Sequence, residues 1–156
     1  MLNPLPGIGT EPGETSYLLV QLADELYAIP DTMVREITRW REITIVPGAP
    51  PALPGIISQR GQVLPVVDLR RLLDMEHVAP DRQTRLVITH CEEADMALRV
   101  DAVLDLHHFA AEALEPVPGT LDPQRARLLR SVARHEEQPV AVLDVPEVIT
   151  LLRAGG

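Results

Sequence analysis

The apolar residues of this chain come in short runs, each cut by glycine, proline or charged residues. That punctuation constrains the fold more than any other feature. The stretch ITIVPGAPPALPG (43–55) is broken by four prolines and two glycines. Proline lacks a backbone donor and clashes with the preceding helical turn, so a long ordered loop is expected there. Before it, SYLLVQLADELYAIP holds two apolar runs around Ala23-Asp24-Glu25, the pattern of a hairpin with an acidic loop. MVREI follows, with Val34 and Ile37 apolar between charges. After it, GIIS and VLPVVDL flank Arg60-Gly61, and Gly61 can supply the positive φ of a tight turn, so a second hairpin is expected. Pro65 places its strand at a sheet edge or turns its missing N–H outward.

Further along, RLVITH and MALRVDAVLDL read as strands joined by a CEEAD turn. PVAVLDVPEVITLL reads as a strand followed by a C-terminal helix, with Pro146 in its first turn. Asp68 before LRRLL and Asp144 before VPEVI are spaced to cap short helices by accepting from exposed backbone N–H groups. DPQRARLLRSVARH opens as a helical turn over residues 123–128, and its later part fits a helix or a strand. Residues 1–14 are rich in Gly and Pro and are expected to be a flexible tail, leaving 15–153 as the folded domain.

A faint repeat runs through that domain. LPVVDLRRLL (64–73) matches VAVLDVPEVI (140–149) at a spacing of 76. Ala28-Ile29, Val34, Glu36 and Ile37 match Ala97-Leu98, Val103, Asp105 and Leu106 at a spacing of 69. The expectation is two related all-β halves packed against each other, with short strands and many turns favouring small barrels.

Composition narrows the function. A net charge of −9 disfavours nucleic-acid binding, which depends on neutralising phosphates. One cysteine, Cys91, allows no internal disulfide and suits a reducing, cytoplasmic setting. No run is long enough for membrane insertion as a helix. The histidines lack metal-ligand spacing: none forms H-E-x-x-H, and His90 and Cys91 would face opposite sides of a strand. Glu92 and Glu93 would raise, not lower, the pKa of Cys91. No phosphate loop or nucleophile elbow is present, so neither catalysis nor a cofactor is expected. Asp101 and Asp105 look like solvent-facing or strand-end residues. Arg60 is open to four readings: a catalytic or phosphate-gripping group, which the lack of further donors nearby disfavours, a turn residue bent into solvent, a buried ion-pair partner of Glu36, or part of a surface that another protein reads.

With these residues in view, the chain resembles the CheW family, the coupling proteins of bacterial chemosensory arrays. Its segment GIISQRGQVLPVVDLRRLL is similar to the family signature at Gly55, Arg60, Gly61, Pro65, Val66, Asp68, Leu69 and Arg70. ELYAIPDTMVREI, RVDAVLDL and LEPVP resemble further family elements in the same order. The resemblance implies an all-β fold of two intertwined five-stranded, SH3-like β-barrels with a shared core, plus short helices and a C-terminal helix. It implies a non-catalytic adaptor without cofactors. Its partners would be the regulatory domain of a CheA-type histidine kinase and the cytoplasmic tip of a methyl-accepting chemoreceptor. The tip would lie in an inter-barrel groove near Val34, Glu36, Ile57, Arg60, Gly61 and Val103, with Ile57 and Val103 placed by proximity alone. Ser58 and Gln59 depart from the family's Asn-Leu before Arg-Gly, which leaves room for a kinase-binding substitute in a twitching, gliding or developmental pathway.

Overall fold

The computed structural model describes residues 14–154. The tail expected at 1–14 lies outside the described residues except for Glu14, which opens the first strand. The strands are β1 (Glu14–Leu22), β2 (Glu25–Pro30), β3 (Val34–Arg39), β4 (Thr44–Ile45), β5 (Gly55–Gln59) and β6 (Gln62–Asp68). They continue as β7 (Arg85–Cys91), β8 (Ala94–Val100), β9 (Ala102–Ala110), β10 (Leu129–His135) and β11 (Gln138–Leu143). Among the described residues three α-helices, α1 (Leu69–Leu72), α2 (Pro123–Arg127) and α3 (Val145–Arg153), fill connections and follow the last strand. The ambiguous DPQRARLLRSVARH therefore splits, with α2 ending at Arg127 and the alternating LRSVARH forming β10.

One sheet has the order β10-β11-β2-β1-β9, the other β3-β7-β8-β6-β5-β4. The second thus exceeds five strands by the two-residue β4, which pairs with β5 inside the proline-rich stretch expected to be loop. Gly55 permits that pairing, because a Cβ there would stand 2.2 Å from the Thr44 carbonyl oxygen. Pro65 is not on an edge strand. It pairs with Ile56 on β5, and the parallel ladder from β6 to β8 begins one residue later at Val66, so its missing donor breaks no bond there.

The repeat is present, but the halves are not packed side by side. In the second sheet Val66 pairs in parallel with Ala97, and in the first Val142 pairs in parallel with Ala28. These are the repeat-related positions. Each half lends its first hairpin to the other half's sheet: β1–β2 joins β9, β10 and β11, while β7–β8 joins β3, β5 and β6. In both sheets side chains, not backbone ladders, bridge the ends of the strand order. Side chains of β3 and the β5–β6 turn meet at one seam, and His107 of β9 stacks edge-on to His135 of β10 at the other, 4.6 Å between centroids.

This arrangement explains the wholly apolar runs, which bury both strand faces. On β1, Tyr17 and Leu19 enter the first barrel, while Leu18, Val20 and Leu22 enter a core shared by both barrels. On β7, Leu86 and Ile88 fill the second barrel and Val87 faces the shared core. Leu69 and Leu72 of α1 and Val148 and Ile149 of α3 complete that shared core. Each large side chain so buried contributes about 1.5–3 kcal/mol. The caps form as the spacing requires: Asp68 accepts from the Arg70 and Arg71 N–H groups, and Asp144 from that of Glu147.

Candidate partner-binding site

The β5–β6 connection is a two-residue turn, with Gln59 opposite Gln62 and both central residues left-handed (Arg60 φ 51°, Gly61 φ 80°). Such turns match the strand twist, and glycine removes half of the steric cost. The turn carries Arg60 to the far edge of its own sheet. There its guanidinium donates from Nε to Glu36 Oε2 at 3.2 Å and from Nη2 to Oε1 at 2.9 Å, a two-pronged grip across the barrel seam. The pair is not buried, as its apolar flanks had suggested: the Arg60 side chain is 78% exposed. Hydrogen bonds from Arg60, and then from Gln59, hold the Glu36 carboxyl below its ordinary pKa. Arg41 reinforces the seam by donating to the Ser58 carbonyl at 2.8 Å and to Gln59 Oε1 at 2.5 Å.

The other expected residues divide. Val34 on β3 and Val103 on β9 occupy repeat-related positions, and both pack half-buried against the shared core. Ile57 does not join them. It is buried inside the second barrel with Leu64, Val66 and Ile88, so its side chain offers no surface to a partner. Alternation along β5 turns Ile57 inward and Ser58 outward.

The ion pair with the most contacts escaped the sequence reading. Asp101, expected to be solvent-facing or at a strand end, lies at the junction of β8 and β9 and joins three segments: it accepts from Arg70 Nε and Nη2 of α1 and from the Ala23 N–H of the β1–β2 turn. Burial alone would raise its pKa, but the Arg70 guanidinium and the Ala23 N–H outweigh that and hold it below the ordinary carboxylate value. The only signal in the sequence was an aspartate interrupting the apolar run RVDAV. Cys91 is buried beside Glu92, and burial first, then that carboxylate, raises the thiol pKa. Among the described residues no three His, Cys, Asp or Glu side chains gather as a metal site, and no helix is long and apolar enough to cross a membrane.

Two β-barrels around one core, with polar side chains tied into caps, turns and seams, define a small all-β module. The chain belongs to the CheW-like domain family, whose profile matches residues 16–153. It is 28% identical over 123 residues to the chemotaxis protein CheW of Bacillus subtilis, covering 79% of each chain. It is 26% identical over 141 residues to protein FrzA of Myxococcus xanthus, covering 90% of this chain and 88% of that one. The solved structure of the scaffolding protein TtCheW from Thermoanaerobacter tengcongensis superposes with a TM-score of 0.79 at 24% identity, over 86% of this chain and 87% of that one. That structural likeness supports the two-barrel fold.

Proposed function

We propose that this chain is a non-catalytic, cytoplasmic adaptor of a bacterial chemosensory array. It couples the tip of a methyl-accepting chemoreceptor to the regulatory domain of a CheA-type histidine kinase. The observation that carries this reading is the Glu36–Arg60 grip: an exposed, two-pronged ion pair on a turn whose Arg-Gly matches the family signature. An exposed arginine held in one geometry adds little to stability and presents a fixed charge to a partner. Val34 and Val103, half-buried on the shared core, supply the apolar component of the receptor surface together with Glu36, Arg60 and Gly61. A second reading has support in the Ser58-Gln59 departure, since the Gln59 amide is drawn into a network with Arg41. In it the chain binds the kinase alone, as a substitute in a motility pathway without receptor contact.

Pull-down of the purified chain with a receptor tip and with a kinase regulatory domain separates the two. Binding to both supports the coupler, binding to the kinase alone supports the substitute, and binding to neither refutes the adaptor. Arg60→Ala is expected to weaken receptor binding with an unchanged circular-dichroism spectrum. Loss of folding in that variant would make Arg60 a structural residue instead.

A further inference from the structure

We propose that the cleft between the proline-rich loop and β8 of the second barrel binds a segment of a partner protein in which an acidic residue is flanked by apolar ones. Arg99 would read the carboxylate. The cleft, of about 950 Å³, shares no residue with the Val34–Arg60–Val103 surface, and the proposal does not depend on the adaptor reading.

The case starts with a charge. Arg99 is 6% exposed, yet among the described residues no carboxylate pairs with it. Its guanidinium carbon stands 5.1 Å from the centre of the Trp40 ring, and Nη2 donates to the Val78 carbonyl. Its Nε is sealed from solvent with no hydrogen-bond partner. The nearby carboxylates are committed elsewhere: Asp101 to Arg70, and Asp68 to the α1 N-terminus, with His77 3.5 Å from its second oxygen. Glu42 lines the cleft but lies out in solvent. Asp68, the register partner of Arg99 on β6, lines the same cleft but makes no ion pair with it, so a carboxylate entering the cleft would complete the guanidinium's bonding with charge-assisted hydrogen bonds. Arg71 on the same wall adds positive charge.

The walls identify the carrier of that carboxylate. Ile43, Pro47 and Pro50 make the cleft predominantly apolar. The rim continues outward as Ile45, 69% exposed, and Val46, 40% exposed. A small ligand held within the cleft would leave that rim wet. A polypeptide segment covers both, with its acidic side chain inside and its apolar neighbours on the rim.

Trp40 is the chain's single tryptophan, so its emission reports occupancy directly. The full chain is titrated with the capped peptide acetyl-Ile-Glu-Phe-amide, its glutamine counterpart, and phenylpropionate. Saturable change with the glutamate peptide is expected. The glutamine peptide, and Arg99→Met with the glutamate peptide, should each bind at least about tenfold more weakly, the loss expected for a charge-assisted hydrogen bond. Ile45→Ser, at an exposed position, should also weaken the peptide. Equal binding of the two peptides, or no response at millimolar concentration, overturns the proposal. Phenylpropionate binding as tightly as the peptide overturns it in favour of a small carboxylate. Should Arg99→Met fail to fold, the peptide pair on the unmodified chain still decides.

Discussion

Replacing Asp101 with asparagine tests whether the two barrels are tied together by charge as well as by their shared core. The substitution keeps an oxygen for the Ala23 N–H and removes the negative charge that faces Arg70. Exposed ion pairs contribute about 0–1 kcal/mol, and orphaning a fully buried charge costs about 3–5 kcal/mol. The Arg70 and Asp101 side chains are 12% and 24% exposed, so solvent screens them only in part. Arg70 keeps one further contact, its Nη1 donating to the Glu76 carbonyl. The loss should therefore lie between those limits, at about 1.5–3 kcal/mol, the range for hydrogen bonds to charged groups. With a urea dependence of about 2 kcal/mol per molar, the midpoint should fall by about 1 M. The acid limb gives a second readout. A carboxyl held below its unfolded value of about 3.9 stabilises the fold above that pH and loses its contribution as pH falls through the lower folded value. The gap between wild type and D101N should thus be constant from neutrality to about pH 5 and narrow below pH ~4. A midpoint unchanged within about 0.2 M, or a gap that persists into acid, would refute the reasoning and leave burial alone holding the junction.

Leu98→Ala, at a fully buried shared-core position, should cost about 2.5–5 kcal/mol. Circular dichroism and Trp40 emission should still report one coincident transition, because both barrels lose the same core. Gly55→Ala drives a Cβ against the Thr44 carbonyl and should destabilise by at least about 1–3 kcal/mol in urea unfolding, with faster amide exchange in β4 and β5. Glu93→Gly should raise stability by about 1 kcal/mol in the same assay, since Glu93 sits at φ 65° in the turn between β7 and β8.

What the sequence revealed and what it hid divide along a physical line. The caps at Asp68 and Asp144, the Arg60-Gly61 turn and most strand positions rest on interactions within a few residues, and these were legible. The partners of β6, the side of β5 that faces inward and the contact of Asp101 depend on segments far apart in the chain. Ile57 illustrates the limit. Ile56 and Ile57 are equally apolar, and only the pairing of β5 with β6 decides which one the barrel buries. Likewise Glu36 was legible as the partner of Arg60, but its exposure was not, because the seam lies where the sheet's two edges meet. The turns Glu92-Glu93 and Glu136-Glu137 adopt left-handed backbone without glycine, against the usual preference; the first was expected as the CEEAD turn, the second was not.

The exchanged hairpins bear on how such a module can act. Each half's β6- or β11-type strand takes its parallel neighbour from the other half, so neither half can complete a barrel by itself. Each barrel therefore needs strands from both halves, and the duplicated frame folds as one unit. The seams, by contrast, have diverged. The second barrel closes with the Glu36–Arg60 pair, whereas the corresponding positions of the first barrel are Asp105 and Glu136, two like charges, and closure passes to His107 and His135. Burial, and then the neighbouring His135, lower the His107 pKa, so this seam favours a neutral His107 where the other holds a full ion pair. The same order of five paired strands with different seam chemistry gives one fold two chemically distinct faces.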